Sequence, residues 1–122
     1  MKTLTRLLPL LFALSLPVHA AVPPASKIEI DALLDFISHS GCNFYRNGSW
    51  HDSQSAASHV RDKYLYFSAR QQIDSTEDFI ARAATKSSFS GWQYKVKCPG
   101  SPEQPSANWL LNELKHERAE RR

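Results

Sequence analysis

The sequence predicts an α+β domain, mostly helical, with about four helices, a short two-stranded antiparallel sheet and one disulfide. Three observations carry this expectation. Apolar residues recur at helical spacing in four separate segments. Trp92–Cys98 alternates strictly, Trp92, Tyr94, Val96 and Cys98 facing one way and Gln93, Lys95 and Lys97 the other, as in a half-buried strand. The two cysteines, Cys42 and Cys98, begin one extended segment and end another. No internal repeat is visible.

The chain opens MKTLTRLLPLLFALSLPVHA. Lys2 and Arg6 make a basic n-region, Leu7–Leu16 an apolar h-region, and Val18-His19-Ala20 supplies small residues for cleavage after Ala20. The apolar run, about ten residues, is half of the roughly 20 that span a bilayer. Residues 1–20 are therefore expected to be a cleaved signal peptide, leaving no stable membrane anchor. With Lys2 and Arg6 gone, the 15 basic residues fall to 13 against 12 acidic ones, a net charge of +1. No basic stripe survives, which argues against a nucleic-acid partner.

Residues 21–26, with Pro23-Pro24, read as a linker, 27–116 as one domain and 117–122 as a polar, fraying tail. Ser26-x-x-Glu29 has the form of a capping box, and Ile30, Leu33, Leu34 and Ile37 form one apolar stripe ended by Gly41. Cys42–Arg46 is short and aromatic, the first strand. Asp52 or Ser53 caps a second helix with Ala56, Val60, Tyr64 and Phe67 on one face, ending near Arg70. Ser75-x-x-Asp78 opens a third, burying Phe79, Ile80, Ala83 and Ala84. Ser87–Gly91 is too rich in turn residues to continue it. After the Trp92–Cys98 strand, Pro99–Pro105 is a loop, and Ser106 or a neighbour caps a last helix carrying Trp109, Leu110 and Leu114. In the tail, Glu117 and Arg121 have i,i+4 spacing.

An even cysteine count without C-x-x-C, in an exported chain, favours a structural Cys42–Cys98 bridge over redox chemistry. Such a bridge closes a loop of about 57 residues and contributes roughly 4 kcal/mol. Two free buried thiols are the alternative. Bridged at these ends, the two strands pair most simply antiparallel.

No motif names an activity. His39, His51, His59 and His116 form no metal-binding spacing, so no metal and no cofactor is expected. His51 reads as a residue that orders the junction before the second helix. Ser87, Ser88 and Ser90 lack a nucleophile motif, and Asp52, Asp62, Asp74 and Asp78 have simpler roles as caps or surface charges. Hence no catalytic residue is assigned. A binding surface has more support. Arg46, Asn47, Lys86, Ser88 and Ser90 sit at element ends that the disulfide would draw together, with Tyr45, Trp50 and Trp92 as possible aromatic anchors.

Five segments in order, CNFYRNG (42–48), AASHVRDKY (56–64), EDFIARAATKSSFSG (77–91), GWQYKVKC (91–98) and NWL (108–110), resemble the domain of unknown function 5329 family of small exported bacterial proteins. The resemblance spans about residues 28–115. It rests most closely on Phe44, Arg46, Asn47, Gly48, His59, Lys63, Phe79, Ile80, Ser87, Ser90, Gly91, Tyr94, Trp109 and Leu110. Gln93 stands where the family commonly has proline. The resemblance implies a single small domain in the envelope of a Gram-negative bacterium and carries no activity.

The expectation is a periplasmic or secreted, non-enzymatic binding or inhibitor-like module. Its partner would be an envelope protein or a small polar ligand, met through Arg46, Asn47, His59, Lys63, Ser87, Ser88 and Ser90. A small hydrolase using His59 with a nearby acid or serine, and a structural envelope accessory, are the alternatives. Within FYRNGSW, the Asn47-Gly48-Ser49 glycosylation signal loses meaning in a bacterial envelope. Asn47-Gly48 reads as a turn from strand to helix rather than a hairpin, because little chain remains before Asp52 for a second arm.

Overall fold

The structure, a computed structural model, describes residues 3–11 and 21–122. Lys2, the second half of the apolar stretch (residues 12–16) and the residues up to the expected cleavage point, 17–20, lie outside the described residues. The elements run α1 (Pro24–His39), β1 (Asn43–Arg46), β2 (Ser49–His51), α2 (Ser53–Ala69), α3 (Thr76–Ala83), β3 (Lys95–Lys97), β4 (Gln104–Pro105) and α4 (Ser106–Glu120).

The predicted stripe of α1 is its buried face: Ile30, Leu33, Leu34 and Ile37 are at most 1% exposed. Each contributes roughly 1.5–3 kcal/mol by leaving water. The helix begins three residues before the expected domain start, because Pro24 sits in its first turn, where a missing N–H costs nothing. Ser26-x-x-Glu29 is therefore not a cap. Pro23 is the N-cap residue, and the Glu29 carboxylate is engaged elsewhere. Gly41, at φ 67°, turns the chain out of α1. Asp52 caps α2 through the Ser55 N–H at 2.8 Å. Ser75 caps α3 through the Asp78 N–H, while the Asp78 carboxylate accepts from the Asp74 N–H rather than closing a box.

The sheet is four-stranded and antiparallel, in the order β2-β1-β3-β4, not two-stranded. Cys42 and Cys98 are bridged, S–S 2.00 Å, beside the Asn43–Lys97 pair of β1 and β3. The hairpin rejected from sequence exists. Tyr45 pairs with Trp50 and Arg46 with Ser49 across a two-residue turn, Asn47 at φ 50° and Gly48 at φ 87°. Positive φ at both central residues is the turn that matches strand twist, so three residues suffice for the second arm. β4 is two residues long, with Pro105 at the sheet edge where its missing N–H is tolerated.

β3 is shorter than the Trp92–Cys98 alternation suggested. Tyr94 and Val96 point inward, but Trp92 is 57% exposed. Its carbonyl accepts from the Ser87 N–H to close the 87–92 loop, and an isolated Lys86–Gln93 bridge stands where the strand was expected to begin.

α1 packs on α2, α3 and α4, with β1 and β3 against α2 and α4. Trp109 joins these layers, stacked on Phe36 at 4.5 Å and edge-on to Phe44 at 5.5 Å. Ser106 does not cap α4, whose N-cap is Pro105. The polar last residues are the end of a helix, held by ion pairs. α4 continues to Glu120, and Arg118 and Arg121 bind Glu29 of α1, at 2.8 and 2.6 Å. Thr76 donates to the same carboxylate, and Arg118 also reaches Glu77. Among the described residues Arg121 pairs with Glu29, 12% exposed, and not with its i,i+4 neighbour Glu117.

Candidate functional site

β1 ends at Arg46, and the middle of α2 runs beneath it. The i,i+4 spacing of His59 and Lys63 puts both on the face of α2 that meets the strand. Arg46 Nη1 lies 2.9 Å from His59 Nδ1 and 3.4 Å from Nε2. A guanidinium only donates, so Nδ1 is the acceptor and the imidazole proton sits on Nε2. That proton points to Tyr94 Oη at 3.1 Å. Lys63 Nζ donates to the same oxygen at 3.2 Å and to the Lys86 carbonyl at 2.7 Å, and lies 4.9 Å from the Tyr94 ring centre. With two donors on Oη, the Tyr94 hydroxyl proton is left to give.

The electrostatics follow from this crowding. Burial first, then the Arg46 and Lys63 charges, push the His59 pKa down to about 4, with Asp62 opposing more weakly. The ring is neutral at physiological pH. Burial, with the Arg46 charge behind it, lowers Lys63 to about 8. Burial raises the Tyr94 phenol, which stays protonated. Among the described residues neither Arg46 nor Lys63 has a carboxylate partner, while Lys27, Lys95 and Arg118 do. The cluster is cationic and unneutralised.

A second cluster is built on the hairpin turn. Asn47 Nδ2 donates to Ser87 Oγ at 3.0 Å, and Asn47 Oδ1 accepts from Ser90 Oγ. Ser87 Oγ also accepts from the Phe89 and Ser90 N–H groups, and Ser90 Oγ from the Trp92 N–H. Asn47, Ser87 and Ser90 thus satisfy one another and fasten the turn to the 87–92 loop. Ser88 is exposed, and its side chain makes no hydrogen bond among the described residues. So the predicted residues fall into two groups: Arg46, His59 and Lys63 converge, Asn47, Ser87 and Ser90 form a staple, and Ser88 joins neither.

Sequence reasoning gave Tyr94 to a strand face and the family pattern, His51 to the junction before α2 and Ser106 to a helix cap, and placed none of them in the site. Tyr94 had a usable signal: a tyrosine on the buried face of a strand needs a partner for its hydroxyl. His51 and Ser106 had none, since each depends on strands too short to show a period. All three, with Arg46 and His59, line a cavity of about 30 Å³ walled by apolar side chains including Ile37, Phe44, Val60 and Leu110.

Fold and site together define a small disulfide-bridged α+β protein with an uncompensated cationic corner over an apolar recess. The chain belongs to DUF5329, a family of unknown function, which it matches over residues 24–118. It is 35% identical over 82 residues to the uncharacterized protein YfeK of Salmonella typhimurium (strain LT2), covering 66% of this chain and 67% of that one. No solved structure matches.

Proposed function

We propose that the chain is a binding module of an oxidising, extracytoplasmic compartment, the periplasm or exterior of a Gram-negative cell, which holds a small anion against Arg46 and Lys63. One observation carries the reading: two cations meet around Tyr94 and a neutral His59 with no carboxylate paired to either among the described residues. Charges gathered this way repel one another unless a ligand of opposite sign enters. Arg46 supplies a planar fork for an oxyanion, Lys63 a point charge, and Tyr94 a hydroxyl donor.

The compartment is supported by the signal-like first twenty residues and by the Cys42–Cys98 bridge, a bond that persists mainly outside the reducing cytosol. No helix among the described residues is long and apolar enough to cross a membrane. The hydrolase alternative has less support, since among the described residues His59 bonds to Arg46 and Tyr94 and to neither a serine nor a carboxylate. A protein partner is the second reading. Trp50, Phe89 and Trp92 are exposed, Phe89 at 98%, on the hairpin and loop that Asn47 joins.

Titration of the ¹⁵N-labelled protein with sulfate and phosphate at low ionic strength tests the anion reading. The amides of residues 46, 59, 63 and 94 should shift together, and Arg46→Gln should weaken binding about tenfold, a loss of about 1.4 kcal/mol. Equal affinity in both proteins, or shifts elsewhere, overturns it.

A further inference from the structure

Phe89, almost fully exposed, stands at the middle of the 87–92 loop, and Trp92 at the loop's end and Trp50 on the neighbouring hairpin are also open to solvent. A bare phenyl ring on a loop is unfavourable in water. The backbone beneath it asks little of water. The Ser87 N–H donates to the Trp92 carbonyl at 2.9 Å, and the Gly91 N–H to the Ser87 carbonyl at 3.0 Å. The Phe89 and Ser90 N–H groups donate to Ser87 Oγ, and the Trp92 N–H to Ser90 Oγ. A protein partner could supply hydrogen bonds to a loop, whereas a hydrocarbon phase supplies none, so a loop that enters lipid must satisfy its donors from within. This loop largely does.

The charge around it has one sign. Residues 40–51 and 84–102, which include the hairpin, the loop and β3, carry Arg46, Lys86, Lys95 and Lys97 and no carboxylate. The carboxylates that border them are engaged: Asp52 caps α2 and Glu103 pairs with Lys95. Asp62 on α2 acts on His59 more weakly than either Arg46 or Lys63 does. Arg46 precedes Asn47, which is fastened to Ser87 and Ser90, and Lys63 donates to the Lys86 carbonyl at 2.7 Å. Both cations therefore stand at the foot of the loop that carries Phe89. Apolar and aromatic groups beyond, cations behind them, is the order that matches acyl chains beneath a layer of phosphates.

We propose that this corner docks the protein on a bilayer surface of anionic phospholipid. Phe89 enters the acyl boundary, Trp92 and Trp50 lie at headgroup level, and Arg46 and Lys63 take a headgroup phosphate. This rests on the anion reading of the Arg46–Lys63 cluster and names the source of the anion. Attachment is reversible, since one apolar apex and a few cations fall well short of a permanent anchor.

The test uses the exported, processed, disulfide-bonded protein with three probes: vesicles of phosphatidylglycerol and phosphatidylcholine in equal parts, vesicles of phosphatidylcholine alone, and inorganic phosphate. Partition is read by co-flotation, insertion by quenching of tryptophan fluorescence with brominated acyl chains, and phosphate binding by amide shifts. The anionic vesicles should bind about a hundredfold tighter than the neutral ones, with Arg46, Lys63 and Lys86 each contributing about fivefold. Phe89→Ser, at a side chain open to solvent, should lower that partition about tenfold and leave phosphate binding unchanged, and Phe89→Leu should restore most of it. Arg46→Gln should weaken both vesicle and phosphate binding. Phosphate binding without vesicle binding overturns the membrane proposal, leaves the anion site standing and returns the aromatic side chains to a protein partner. Equal partition of the parent and Phe89→Ser, or of the parent onto anionic and neutral vesicles, also overturns it. No response to phosphate or to either vesicle overturns both readings.

Discussion

At Lys63, burial and the Arg46 charge act in the same direction, and both disfavour the ammonium form. Its folded-state pKa of about 8 lies below the ordinary 10.5, so between those values the unfolded chain binds more protons and stability rises with pH. Below pH 8 the full penalty is present. Lys63→Met should therefore stabilise the protein in urea at pH 7 by on the order of 1 kcal/mol while weakening anion binding; a loss of stability would show that the Lys86 and Tyr94 contacts outweigh the desolvation. His59 is also depressed, to about 4 against 6.5, so its contribution is present above the unfolded value and declines as pH falls from 6.5 towards 4. Ring resonances in a pH titration should show His59 as the neutral Nε2–H tautomer to below pH 5. Arg46→Ala should move its pKa up towards the ordinary value, because one of the two positive neighbours is gone.

The β1–β2 hairpin is the element through which site and scaffold communicate, since Arg46 enters the turn and Asn47 begins it. Asn47→Gly keeps the positive φ that the turn requires and removes only the bonds to Ser87 and Ser90. It should cost about 1–2 kcal/mol and raise amide hydrogen exchange across residues 87–92. Unchanged exchange there would mean the loop holds itself. The four helices were legible because each carries an apolar face long enough to show its period. Ile30, Leu33, Leu34 and Ile37 show how directly that pattern becomes core. β2 and β4 were not legible: three and two residues are too few for alternation to register, and pairing across space defines them. The same limit hid half of the site. His59 and Lys63 announce themselves by helical spacing, whereas His51 sits in the three-residue β2 and Ser106 follows the two-residue β4, whose pairing no local pattern encodes.

Across the whole molecule, distant parts of the chain are tied at two places: the Cys42–Cys98 bridge across the sheet and the Glu29 cluster between the first and last helices. The Arg118 hydrogen bonds lead the forces that hold the Glu29 pKa near 2, with Thr76 and Arg121 adding to them against burial. The sign follows from that depression. The cluster stabilises fully above the ordinary 4.5 and is lost as pH falls from there towards 2. Glu29→Gln should lower stability at pH 7 by about 1–3 kcal/mol and flatten the acid limb of a pH–stability curve. A parallel curve would place the acid sensitivity elsewhere. Because Glu29 lies just inside α1 and Arg121 beside the last residue, the two ends of the folded domain are within one ion pair of each other. The covalent order of the chain is then separable from its architecture. A circular permutant joining Arg122 to Val22 by a Gly/Ser linker of roughly six residues, opened in the exposed turn at Gly100–Ser101, should fold with the same disulfide and the same ligand-induced amide shifts as the parent.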